Sequence, residues 1–579
     1  MPKQRTALVP FDEIPGSLPA SQVPENVNLD KVAPQAIFKL NYLQQNHLAP
    51  NAVWRDLLAF TGSYRTFVSD SRVYSTFLKL SQQKKRSIFE LYENHPPRIG
   101  HGGKDASWVD VDVEFSAEHE NLVESGRAIV SMVFDDQKSE WKIFMLRTWL
   151  ECFDGFGHPD ILEPSNGVVN GAVNGDNNSK QAYDAVIIGG GQAGLAVAGR
   201  MKAIGVSYLL LERHANLGDQ WRGRYESLRW HTSKEYGNLP FDHTFPEEDD
   251  YMLPAKRIGD GHKAWSERYG LNARTSTSVE SATWDENSRR WTIKTSGPDE
   301  ELTIRTPNLV LAIGPGHGTP IYPSWATSDK VSASGFKGTV VHGLGGYKSA
   351  HNWSGKNGIV IGTANTAHDV AEDMANAGMH TTMVQRSPTF IFPAEWLHAA
   401  EDVHYNSEMM TCEADRQTFT YPNKIMREII NRNVWAGIEA SPKRFDDLEA
   451  AGFKVERYGD IYNNLYVRFG GHYVDIGCSA RIAKGEIKMK TQLVEGLTED
   501  GLKFEDGSLV EADLIVLCTG FDKVFRNDAA RILGHEVADQ MDDFWGTDKE
   551  GEIRGFAKPS GRKFCDMLLP DYLAARNMC

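Results

Sequence analysis

A strand, a glycine-rich turn, a helix and a second strand follow one another twice in this chain, and no other local feature restricts its fold as strongly. The first copy reads YDAVIIGGGQAGLAVAGRM and runs on to LLLER; the second reads GIVIGTANTAHDVAEDM and runs on to MVQRS. The amino terminus of a helix carries free N–H groups and partial positive charge, so a strand that turns tightly into a helix makes a seat for phosphate. In the first copy Gly189, Gly191 and Gly194 keep the GxGxxG spacing, with Gln192 between them. Gly189 permits the turn, Gly191 lets the backbone approach a pyrophosphate, and Gly194 allows close helix–strand packing. Glu212 closes the next strand, where a carboxylate accepts ribose hydroxyls. The second copy keeps Gly362 but has Ala364 and Ala367 at the second and third positions, with Asn365 and Thr366 between them. Its closing strand ends on Arg386, which can hold a 2′-phosphate by charge-assisted, bidentate bonds where an acid would repel it. Two such units predict an α/β chain with two Rossmann-like dinucleotide-binding domains and two different nucleotides, NADPH at the second.

Around these units the chain divides by pattern. Residues 1–34 are Pro-rich and polar and read as an extended arm. Residues 35–163 read as a small α+β unit, with helical spacing in AVWRDLLAFTGSYRTFV and SRVYSTFLKL. Alternating strands follow in WVDVDVEFSA, ESGRAIVSMVFD and WKIFMLRTWLEC. Residues 164–180, rich in Asn, Gly and Ser, read as a flexible linker, so the unit before it is expected to be separable from the rest. The first nucleotide domain is then expected over 181–335 and again over 485–579, with the second inserted at 336–484.

Several stretches carry a family resemblance. GDQWRGRYESLRWHTSKEYGNLPF (218–241) and FKGTVVHGLGGYKS (336–349) resemble the flavin-containing monooxygenases, class B flavoprotein monooxygenases, and within them the plant indole-pyruvate and fungal branch. LVLAIGPGHGTP, LIVLCTGF and the Asn365…Asp369 spacing agree with that resemblance, which covers roughly residues 183–525. The chain after about residue 560 departs from it. The resemblance implies FAD in the first domain, lined by Trp221, Arg222, Tyr225 and Leu228, with His231 at the isoalloxazine edge and Gly520 approaching the flavin. It implies catalytic parts for His231 and Asn365, and a coupling rather than a catalytic part for His342. It also implies that NADPH reduces FAD, that reduced flavin takes O2 to a C4a-hydroperoxide, and that one oxygen atom passes to nitrogen, sulfur or carbon of a small organic substrate. The alternatives are Baeyer–Villiger oxygenation, an NADPH oxidase, and a ligand-binding module fused to a degenerate flavoprotein. The amino-terminal unit, helices before a curved antiparallel sheet, resembles the SnoaL-like cone fold.

Composition narrows the class further. A formal net charge of −16 over 579 residues argues against a nucleic-acid binder. The six cysteines include no CxxC, which a thioredoxin-reductase-type relative would need, and their sparse use fits a cytoplasmic setting. No run of 18 apolar residues suggests a membrane span, and no metal-ligand spacing stands out. A homodimer stays open.

Overall fold

The structure, a computed structural model, describes residues 5–119, 122–165, 183–298, 301–314 and 319–555. The expected linker, from residue 166 on, and the divergent carboxy-terminal segment lie outside the described residues. The amino-terminal unit starts earlier than its pattern suggests. Leu29–Asn41 is a helix, despite Pro34 in its interior, and presses Val32, Ala33, Ala36 and Leu40 into the core. The arm before it is not free either, because Phe11, Ile14 and Leu18 are buried. Three long antiparallel strands, Ser107–His119, Leu122–Asp135 and Glu140–Phe153, form the centre of a seven-stranded sheet. Register shifts at Ser125/Gly126 and Ser131/Met132 mark bulges, the usual device for bending such a ladder. Leu48–Leu57 adds in parallel to the last of these strands, and Tyr64–Val68 pairs with it. AVWRDLLAFTGSYRTFV is therefore strand, turn and strand rather than helix. Leu48–Leu57 is buried on both faces over most of its length, so the alternation that marks a half-exposed strand is missing. Asp70–Gln83 is helical as expected, with Ser69 capping it through Arg72 N.

The two glycine signatures do open two parallel sheets. The first has the spatial order Ala273–Arg274, Tyr208–Leu211, Ala185–Ile188, Asn308–Leu311. The second runs Thr339–His342, Leu514–Leu517, Asn357–Ile361, His380–Val384, Ile487–Lys490. Each sheet has a three-stranded antiparallel meander in the same chain position, 278–306 in the first half and 494–511 in the second. The expectation that residues 485–525 return to the first domain is corrected by this pairing. Ile487–Lys490 and Leu514–Leu517 complete the second sheet, and only the helices from Phe525 on rejoin the first half, packing Phe525, Ala529 and Leu533 with Leu209, Ile293 and Ile304.

The amino-terminal unit is not loosely tethered. Arg55 forms a bidentate pair with Glu552 at 2.7 and 2.8 Å and donates to the Phe419 and Tyr421 carbonyls. Arg127 meets Glu413 at 2.8 Å, and Arg416 reaches back to Asp160 at 2.9 Å and to Glu151. Arg65 pairs with Glu550 at 2.8 Å. The Arg55 and Glu552 side chains keep only 7% and 2% of their surface. Apolar clusters cross the same boundary, joining Leu57, Ile129 and Trp149 to Tyr462 and Ile553. Buried ion pairs and apolar contacts thus join this unit to the rest of the chain, where the sequence suggested a loose tether. A buried ion pair that loses one partner leaves an uncompensated charge, at a cost of about 3–5 kcal/mol.

Candidate functional site: a seam between two nucleotide cradles

In the first cradle Gly189 has φ +108°, and a Cβ there would lie 2.4 Å from the Ala312 carbonyl oxygen. A Cβ on Gly194 would lie 1.9 Å from the Gly189 carbonyl oxygen, so both glycines are demanded by close backbone approach. Gly191 differs. A Cβ on it would meet nothing nearer than Gln220 Nε2 at 3.8 Å, so the space before the helix Gln192–Ala203 is open. Glu212 accepts from Gly190 N at 2.7 Å and His214 N at 2.8 Å, and sits beside that space. Gln192 Nε2 donates to the Gly237 carbonyl at 3.4 Å.

The 218–241 stretch folds back over this cradle. Arg222 is committed to structure: it pairs with Asp219 at 2.7 Å and Asp260 at 2.8 Å and caps the Leu217 and Gly259 carbonyls. Trp221 packs edge-on against Trp230, and Leu228 and Tyr225 are buried. Several polar atoms here are buried without a partner among the described residues: both amide atoms of Gln220, Arg224 Nε, Ser227 Oγ and His231 Nδ1. Unmatched buried donors and acceptors are costly unless a ligand completes them. An open phosphate seat beside such a row fits FAD.

The second cradle repeats the first. Gly362 has φ +124°, with a Cβ position 2.5 Å from the Cys518 carbonyl oxygen. Ala364 sits at φ −92°, ψ −175°, close to Gly191 at φ −76°, ψ −174°. That extended backbone needs no glycine, which removes the conformational objection to Ala364. Asn365 Oδ1 accepts from Val474 N at 2.9 Å and so anchors the cradle. Thr366 lies in the first turn of the helix Asn365–Asn376. The residue matching Glu212 in the strand register is Gln385, whose backbone N–H bonds Lys490 as that of Glu212 bonds Arg274. Arg386, one residue on, is exposed. A neutral amide where the first half has a carboxylate removes a charge that would repel the 2′-phosphate of NADPH, while the exposed arginine beside it has a counterpart in Arg213 of the first half.

The halves meet through Asp369, on the second helix. Its carboxylate accepts from Tyr225 OH at 2.7 Å and lies 3.0 Å from His231 Nε2. Burial works against a charged His231, but the Asp369 carboxylate outweighs it and raises the imidazole pKa. Burial, aided by Asp369, raises the Tyr225 phenol well above its ordinary value. His342 accepts from Leu344 N at 3.0 Å and lies 3.3 Å from Thr519 Oγ1, which joins two crossing segments. Gly520, at φ +81° and with open space at its Cβ position, follows at once. Sequence reasoning noticed Asp369 only as part of a spacing and missed Gln220, Arg224 and Glu401. The first two lay inside a quoted motif and needed only their polarity to be noticed. Glu401 had no local signal; its carboxyl approaches Ser233 N at 3.3 Å, and burial pushes its pKa up to about 8.

Among the described residues no helix is long and apolar enough to cross a membrane, and no group of three metal-binding side chains occurs. Residues 186–411 match the family model described as pyridine nucleotide-disulphide oxidoreductase. The chain is 32% identical over 342 residues to the probable indole-3-pyruvate monooxygenase YUCCA9 of Arabidopsis thaliana, covering 58% of this chain and 74% of that protein. It is 28% identical over 347 residues to the indole-3-pyruvate monooxygenase YUCCA1 of Oryza sativa subsp. japonica, covering 58% and 76%. Among solved structures, cyclohexanone monooxygenase from Rhodococcus sp. Phi1 bound to NADP+ matches with a TM-score of 0.44 and 20% identity, over 61% of this chain and 73% of that one. The chain belongs to the class B flavoprotein monooxygenases, FAD- and NADPH-using oxidoreductases that act with O2.

Proposed function

We propose that this chain holds FAD in the cradle of Gly189–Gly194 and NADPH in that of Gly362–Ala367, and transfers one oxygen atom from O2 to a small organic substrate. The observation that carries the reading is the Asp369 junction, which ties the helix of one cradle to the flavin-side stretch of the other. Bound FAD would accept hydride from NADPH and supply the oxygen-activating chemistry. Gln220, Arg224 and Ser227 would pair with the flavin, and Glu212 with its ribose once a hydroxyl competes for the carboxylate. Arg386 would hold the 2′-phosphate of NADPH. Asp369 keeps His231 and Tyr225 in fixed orientation, leaving His231 Nδ1 as the free donor or acceptor of that ring. The Tyr225 and Trp221 rings, packed in one cluster with Ala367 and Val370 of the second helix, would keep water from the seam and strengthen each polar contact inside it.

The test is O2-dependent NADPH consumption by purified holoprotein across a panel of sulfides, amines, indole acids and ketones, with product and hydrogen peroxide both quantified. Product close to one equivalent per NADPH supports the reading, and ketone-to-ester conversion would assign the Baeyer–Villiger variant. Peroxide alone, with every substrate, would assign an oxidase instead.

A further inference from the structure

A cavity of about 560 Å3 lies where three parts of the chain converge: the amino-terminal sheet, the helical segment 394–466, and residues 552–553. Its wall is largely apolar and rich in aromatic rings, with Tyr236, Phe392, Trp396, Tyr405, Phe419 and Tyr462. The amino-terminal unit adds Arg55, Leu57, Tyr64 and His101. Arg55 brings no net charge, because Glu552 neutralises it within the same wall. Further polar groups line it, Glu401, His404, Gln417, Thr418, Asn423 and Asn433 among them, and His404 Nδ1 is buried with no partner among the described residues. The cavity adjoins the flavin-side stretch: Glu401 approaches Ser233 N, and His398, one turn earlier on the same helix, bonds the His231 carbonyl at 2.8 Å.

We propose that this jointly walled cavity is the substrate site, and that it takes an uncharged, largely aromatic molecule with a carbonyl oxygen that accepts a hydrogen bond from the Glu401 carboxyl group. The assignment as substrate site rests on the monooxygenase reading; the ligand class rests on the cavity. Burial carries the Glu401 pKa to about 8, so at neutral pH the group is a donor. Burial, with Arg98 and Arg147 nearby, carries His404 to about 4, so it is neutral as well. The one arginine in this wall, Arg55, is already paired with Glu552, and desolvating an anion there is expensive. The amino-terminal unit thereby has a definite part: it supplies one side of the pocket, and so helps set which molecules reach the seam.

The experiment titrates the FAD-loaded full chain with two probes of one shape, 2-acetylnaphthalene and 2-naphthoate, by calorimetry at pH 7 without NADPH. The ketone should bind at least about tenfold more tightly than the carboxylate, the scale of one hydrogen bond plus a charge penalty. Glu401→Leu should weaken the ketone about tenfold, while Glu401→Gln, still a neutral donor, should stay within about threefold. Ala400→Trp, at the exposed mouth, should remove binding, with FAD content and circular dichroism measured on the same sample. Equal affinity of wild type for the two probes would overturn the proposal, as would unaltered ketone binding in both Glu401→Leu and Ala400→Trp. The probe pair on wild type decides even if a variant misfolds. Binding of the ketone to a protein whose flavin NADPH does not reduce would leave the cavity assignment standing and fail the monooxygenase reading. Reduction by NADPH without ketone binding would do the reverse.

Discussion

The two nucleotide halves share a backbone and differ at the points where a ligand would be read. Gly189 and Gly362 make the same turn against a returning strand, and the helices that follow, Gln192–Ala203 and Asn365–Asn376, are equally long. Gly191 and Ala364 have nearly one conformation. The differences are a carboxylate against an amide at Glu212 and Gln385, and a glycine against an alanine at Gly191 and Ala364 and again at Gly194 and Ala367, whereas an exposed arginine follows the strand end in both halves, Arg213 and Arg386. The two turns thus share their backbone geometry, and the side chains at the strand ends differ. The lesson is that the strand-end residue must be read in structural register. Gln385, not Arg386, matches Glu212, and Arg386 matches the exposed Arg213, so what separates the two strand ends is the loss of the acid.

The largest effect should separate the cradles. Gly191→Val puts a branched side chain into the open space before the first helix and should yield protein without FAD, read as loss of the absorbance near 450 nm. Ala364→Val, the matching change in the other half, should leave the protein yellow and raise the apparent KM for NADPH at least about tenfold, equal to 1.4 kcal/mol or more. If both variants lose FAD, the halves are not independent seats.

Removing residues 1–165 should come next in size. It takes away Arg55 from Glu552, Arg65 and Arg72 from Glu550, and Glu151 with Asp160 from Arg416, which keeps Glu413. At about 3–5 kcal/mol for one broken buried pair, the fragment should be insoluble or melt far below the full chain. A fragment as stable as the full chain would show that these pairs contribute nothing.

Asp369→Asn probes what joins the halves. Hydrogen bonds to a charged group contribute about 1.5–3 kcal/mol, and Asp369 accepts two. FAD should be retained, while anaerobic reduction by NADPH slows at least about tenfold as the cradles lose their common anchor. His231→Ala should slow the same step, because its Nε2 is committed to Asp369 rather than free to act on oxygen alone. The pH sign follows from the raised His231 pKa: the stability from this pair is complete below the ordinary value near 6.5 and fades as pH rises through the raised one. The difference in melting temperature between wild type and Asp369→Asn should therefore shrink at alkaline pH.

The smallest effect should be at Glu401. Its folded pKa of about 8 exceeds its ordinary 4.5, so its favourable contribution is full below 4.5 and is lost as pH rises to 8. Glu401→Gln should thus match wild type near pH 5 and exceed it in melting temperature by a few degrees near pH 9.

The glycine signatures were legible because their information is local: Gly189, Gly191 and Gly194 act within six residues. Leu48–Leu57 was not, because its burial comes from partners on both sides that are distant in sequence. The return of Ile487–Lys490 and Leu514–Leu517 to the second sheet was invisible for the same reason, since strand partners across long insertions leave no periodic trace. The buried pairs of Arg55 and Arg416 look like ordinary surface charges in sequence, and only assembly reveals that they close an interface.

Anaerobic mixing of the purified, yellow, oxidised protein with NADPH or NADH, followed at the flavin band near 450 nm, reads hydride transfer between the two halves without any substrate. Complete bleaching by NADPH is expected at a rate at least about tenfold above that with NADH, with most of that margin lost in Arg386→Ala, the scale of one charge-assisted contact. A flavin that stays oxidised under NADPH, or that bleaches equally fast with both coenzymes, would contradict the assignment of the two cradles.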